Sequence, residues 1–224
     1  MIFFLSTIFY SITMVATSRI SSQLPRKTES TVEIGITTSS TVTFNRWRIF
    51  FLSALFAAVI FFLSLVFPLV PQFLEDVYKY NAVQIGILGS FTYFGESTLS
   101  LLVGKIGDKY GKTASISLSM IFVAFALSIF ISVNNFATLM IAMFLRGASF
   151  PMWAFIGATV GAIAPPDSRA RWISVVQTTT QVVSISAPYV GGILYTSSPQ
   201  TPFLIIIAAS LLLAFLAQIK PFKE

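Results

Sequence analysis

Neither cysteine nor histidine occurs in the 224 residues. Without cysteine there can be no disulfide, no thiolate metal site and no thiol nucleophile. Without histidine the chain loses the commonest metal ligand and the usual proton shuttle near neutral pH. A Ser-His-Asp or Cys-His catalytic centre is therefore impossible within it. Charge is scarce too: Asp, Glu, Lys and Arg make up 10% of the residues, against about 25% in ordinary soluble domains. Apolar side chains take their place. Hydrophobic residues are 55% of the chain, 23 of them Phe, and the mean hydropathy is +0.84. This is the composition of an integral membrane protein. The formal charge of +6 would suggest nucleic acid in a soluble chain. In a membrane protein it marks loops retained on the cytoplasmic side, so the lipid bilayer is the expected partner and nucleic acid is not. No cluster of titratable residues faces a common site, so neither an enzyme nor a cofactor or metal is expected.

The fold class expected is all-α and polytopic, with about seven transmembrane helices. Residues 1–18 are apolar and roughly one span long. Met1 to Thr7 carry no Lys or Arg, which favours a retained helix over a signal peptide. Residues 19–48 are rich in Ser and Thr and carry Arg19, Arg26, Lys27, Arg46 and Arg48; they read as a flexible linker. Six further spans follow at about 49–74, 83–103, 114–133, 136–164, 172–196 and 201–219, then a tail at 220–224. Pro68 and Pro71 in the first of these six, and Pro151 and Pro188 later, predict kinks. Asn134-Asn135 predicts a minimal turn.

The positive-inside rule orients the set. With the linker in the cytoplasm, the loops at 104–113 and 165–171 and the C-terminus fall on the same side. Of the 14 Lys and Arg residues, only Lys79 then lies outside and only Arg146 within a span. The expected topology is a multi-pass plasma-membrane protein with its N-terminus outside and its C-terminus in the cytoplasm.

Glu96 and Arg146 are the only charges expected at mid-span. Each costs at least ~2.5–3.5 kcal/mol there. Glu96 lies about 12 Å from the cytoplasmic end and Arg146 about 16 Å from the outer end, at about 1.5 Å per residue. Opposite charges at one depth predict a pair, either a proton-coupling site in which Arg146 tunes Glu96 or binds an anionic group, or a static salt bridge. In the sixth span the run Gln177-Thr178-Thr179-Thr180-Gln181 must turn some side chains toward protein or water.

The stretch Gly104-Lys105-Ile106-Gly107-Asp108-Lys109-Tyr110-Gly111-Lys112 reads as a tight turn at the membrane surface. Its glycines allow close approach or a turn, with Gly111 suited to positive φ. Asp108 is placed to accept from a helix start or to pair with an Arg. The stretch resembles the loop signature of the major facilitator superfamily of secondary transporters, with Thr113 in place of the last basic residue. Arg146-Gly147 matches a further family region loosely. Pro165-Pro166-Asp167-Ser168-Arg169 is similar to a short basic loop of the family. Ala187-Pro188-Tyr189-Val190-Gly191-Gly192 resembles its antiporter-type motif with Ala for the first Gly.

The resemblance implies one six-helix half of such a transporter over 49–219, moving a small solute by alternating access, with a proton as one candidate for coupling. As the second half, 1–18 would be the sixth helix and 19–48 the central loop; as the first half, 1–18 would be an extra helix. Either way about five helices of a complete carrier are missing, so a complementary half or a second copy is an expected partner. Gly104, Gly107, Asp108, Lys109, Gly111 and Lys112 would form a conformational latch. Pro188, Gly191 and Gly192 would kink and pack their helix. Spans one and four of a half line the family's cavity, which makes Arg146 and Trp153, seven residues apart, candidates for its wall beside Glu96. Two other functions stay open: a non-transporting remnant or accessory subunit, and a seven-helix receptor. A retinal protein would need a Lys inside the last helix, whereas Lys220 stands only at its end.

Overall fold

The structure is a computed structural model that describes residues 46–218; the expected span 1–18, nearly all of the linker and the tail 220–224 lie outside the described residues. The described residues form helices joined by short turns. In chain order these are α1 (Arg46–Val66), α2 (Leu69–Asp76), α3 (Ala82–Tyr110), α4 (Lys112–Ser132), α5 (Phe136–Arg146), α6 (Met152–Ile163), α7 (Arg169–Ser184), α8 (Ala187–Ser197) and α9 (Thr201–Leu216).

Local chemistry sets several of the ends. Asn81 starts α3 with a reciprocal capping box: its side chain accepts from the Gln84 N–H, and the Gln84 side chain accepts from the Asn81 N–H, each at 3.0 Å. Asn135 starts α5 by accepting from the N–H groups of Ala137 and Thr138 at 3.0 and 3.3 Å. Gly111 alone separates α3 from α4, at φ 93° and ψ 153°, a conformation that side chains resist.

Prolines break three rods. Pro68 has no N–H with which to continue α1, and α2 restarts at once after Phe67-Pro68. A 3₁₀ turn, Gly147–Ser149, and then Pro151 divide α5 from α6. Ile185 and Ser186 divide α7 from α8, which carries Pro188 in its first turn. Among the described residues, Ile49–Asp76, Lys112–Ser132 and Phe136–Ile163 are long and apolar enough to cross a membrane. α3 is longer than any of them but carries Ser, Thr, Gly and charged residues, and α9 is a shorter apolar helix.

Packing follows sequence order only in part. α4 lies against α9, α5 and α3; α1 lies against α7, α8 and α9; and α6 lies against α7. One end of the bundle is pinned by Phe73, Phe130 and Phe203, all fully buried, with ring centroids 5.1, 4.9 and 5.2 Å apart. Tyr78 donates to the Phe130 carbonyl at 2.7 Å across the same cluster. Where lipid surrounds the helices, close packing rather than water exclusion must hold such contacts.

Candidate functional site

The site is built where two of the proline breaks meet. Phe67, Val70 and Pro71 come from the α1–α2 break, and Met143, Arg146 and Phe150 from the α5–α6 break. With Leu88, Thr92 and Tyr93 of α3 they line a cavity of about 180 Å³. Interrupted helices expose backbone groups that a continuous helix would use up, which is why membrane carriers place binding sites at such points.

Arg146 is the one charge in the cavity wall and is only 9% exposed. Its guanidinium lies 4.5 Å from the centre of the Phe67 ring and 4.0 Å from the Met143 sulfur. No acidic group among the described residues forms an ion pair with it. A buried guanidinium without a carboxylate is costly, so the arrangement favours any anion that enters.

The expected Glu96–Arg146 pair is therefore not made. Glu96 stands near Arg146 in the fold, but the helices cross on glycines. A β-carbon on Gly95 would run into the Phe144 carbonyl, lying 2.7 Å from its carbon. A β-carbon on Gly147 would lie 2.5 Å from the Thr92 oxygen and 2.6 Å from the Gly95 carbonyl carbon. Backbone thus presses on backbone. The buried stripe of α3 runs through Leu88, Thr92, Gly95, Leu99 and Val103. Glu96 is one residue, about 100°, round from it, and is half-buried. Arg146 meanwhile is taken up by Phe67.

Trp153 is separated from the cavity as well. The seven-residue spacing implied one face of a continuous helix, but the 3₁₀ turn and Pro151 intervene. Trp153 is 36% exposed and is not among the residues lining the Arg146 cavity.

The 104–112 stretch is not a turn. α3 continues through it to Tyr110, and only Gly111 turns. Gly107 faces α4, where an added β-carbon would meet the Ser115 oxygen at 2.6 Å. Ser115 in turn donates to the Val103 carbonyl at 2.7 Å. The space beside Gly104 is open. Lys112 donates to the Ala158 carbonyl of α6 at 3.1 Å. Asp108 and Lys109 are exposed; Lys109 lies 5.1 Å from the Tyr110 ring centre. Asp108 makes neither of its expected contacts among the described residues. It sits in the last turn of a helix, the end that disfavours a carboxylate. Further on, Gly191 admits the Leu65 carbonyl of α1, 2.6 Å from where a β-carbon would be, while nothing lies within 4 Å of one on Gly192. In the polar run of α7, Thr180 is buried, Gln177 half-buried and the other three exposed.

Sequence reasoning missed Phe67, Thr92, Tyr93, Met143 and Phe150 as cavity residues, and Gly95 as the crossing point. Only the neighbouring prolines and the Arg146-Gly147 dipeptide hinted at them.

Apolar helices, three of them long enough to cross a membrane among the described residues, define a helical membrane protein. The model of the Major Facilitator Superfamily matches residues 49–222, and the chain belongs to that family of transporters. The hexuronate transporter of Bacillus subtilis (strain 168) is 28% identical over 146 residues, which cover 64% of this chain and 35% of that protein. The match thus spans about a third of the relative's length.

Proposed function

We propose that the chain serves transport of a small anionic solute by alternating access, with the Arg146 cavity as the solute site. The observation that carries this is the buried Arg146 with no acidic partner among the described residues, facing a cavity where two helices break. An anion supplies what the site lacks. The hexuronate carried by the similar protein is such an anion, a sugar with one carboxylate. The six-rod unit from 49 to 219 acts as one half, and the exposed polar face of α7 supports a seam to a second unit on the same or another chain. The helix end near 104–112 and the loop at 165–171 face the cytoplasm by their charge, in the plasma membrane. The end of α3 carrying Asp108 is the latch, and half-buried Glu96 is the group that exchanges a proton.

The test is uptake of radiolabelled D-glucuronate by cells that lack their own hexuronate uptake and express this chain. Arg146→Gln is expected to cut uptake at least about tenfold, from ~1.5–3 kcal/mol for a hydrogen bond to a charged group. Unchanged uptake in that variant, at equal expression, sinks the site. No uptake by the unaltered chain would favour an accessory role over a carrier.

A further inference from the structure

Phe67 occupies an unusual place for a lipid-soluble ring. It stands in the break between α1 and α2, 41% exposed, with the buried Arg146 guanidinium 4.5 Å from its centre. Its ring meets Phe150 edge-on at 5.4 Å, and Phe150 meets Tyr93 at 5.8 Å. The two helix breaks are thus joined through the Phe67–Phe150 contact beside Arg146, the one buried charge among the described residues. Phe67 and Arg146 also line a second, smaller cavity that reaches Ser149. That second cavity is only about 10 Å³, room for one water at most, so a guanidinium that leaves the ring has only the larger cavity to enter.

We propose that Phe67 is a positioning residue: its ring face holds the Arg146 guanidinium in the empty site and yields it to the anionic group of the solute. This rests on the reading of the Arg146 cavity as the solute site. The chemistry is a competition between partners for one cation. A ring face attracts a guanidinium through its quadrupole; a carboxylate attracts it through full charge and two parallel hydrogen bonds. The ring is therefore strong enough to keep an empty site ordered and weak enough to be displaced. The guanidinium swings off the ring face to meet the anion in this proposal, so the ring's hold is given up on binding and lowers affinity. Phe67 thereby sets the concentration at which the site fills.

The experiment measures binding to the full chain in lipid nanodiscs by calorimetry. The probe is D-glucuronate, with D-glucose as its uncharged counterpart. Phe67→Leu is expected to tighten glucuronate binding by about tenfold, because the competing partner is gone. Pentafluorophenylalanine at position 67 keeps the shape and reverses the quadrupole, so it is expected to tighten binding as well. Phe67→Tyr keeps the ring face and is expected to bind like the unaltered chain. A packing role would make the fluorinated ring behave like Phe, and that result overturns the proposal. Unchanged or weaker binding in Phe67→Leu, with Arg146→Gln still losing affinity, overturns Phe67 and leaves the Arg146 site standing. Arg146→Gln binding glucuronate as the unaltered chain does, or no glucuronate binding by the unaltered chain, fells the solute site itself and this proposal with it. Thermal melts of the empty chain supply a readout without ligand. Phe67→Leu and Arg146→Gln are expected to be non-additive there, and additive losses refute the hold.

Discussion

Gly95→Ala adds one methyl group where α3 crosses α5, and no side chain can make room for it. The atoms met are the Phe144 carbonyl group, with its carbon at 2.7 Å and the Phe144 Cα at 2.9 Å from the new carbon. Ordinary contact begins near 3.4 Å, so the two backbones must part by roughly 0.7 Å or more. Gly147 presses on the same turn of α3, which means the shift is passed to the 3₁₀ turn and to Arg146 beside it. Overpacking of this kind costs ~1–3 kcal/mol, or about 2–12 °C of melting temperature for a chain of this length. Gly86→Ala is the internal control. It lies on the same helix with nothing within 4 Å of the added carbon. There the substitution improves helix propensity and restricts the unfolded chain, so it is expected to raise stability by ~0.4–1 kcal/mol. The assay is thermal unfolding of the purified chain in one detergent, followed by tryptophan emission. Opposite signs for the two variants are expected. Equal melting temperatures would falsify the glycine-based crossing, and with it the reason given for the failure of Glu96 to reach Arg146.

Gly111→Ala forces a β-carbon onto φ 93°, a cost of ~1–3 kcal/mol. Its melting temperature should fall, and a melt equal to that of Gly104→Ala, where space is open, would count against the strain. Glu96→Gln fixes the neutral form of the side chain, so glucuronate uptake should stop responding to an imposed pH gradient. A response like that of the unaltered chain removes Glu96 from the coupling.

Much of the helical frame was legible because its signals are local. Asn135 caps the helix that follows it, and Gly111 turns because it can take a backbone conformation closed to side chains. Pro68, Pro151 and Pro188 break their rods because each removes a donor from its own helix. The Asn81–Gln84 capping box is a local signal of the same kind. The 104–112 stretch misled because two glycines look like turn residues, whereas Gly107 serves close approach to Ser115 inside a helix that runs on to Tyr110.

The sequence by itself determined the solvent of this protein, its helical class and its family. Apolar content and a fixed pattern of basic and glycine residues are properties of the chain alone. Which charges meet was decided only by the tertiary structure. Glu96 and Arg146 share a depth on neighbouring helices, yet rotation and separation are set by Gly95 against Phe144 and Gly147 against Thr92, contacts between residues about fifty apart. Those contacts leave Glu96 at the edge of its helix face and place Arg146 over Phe67. Side-chain partnership follows from how two backbones approach, and no local pattern in either helix specifies that approach.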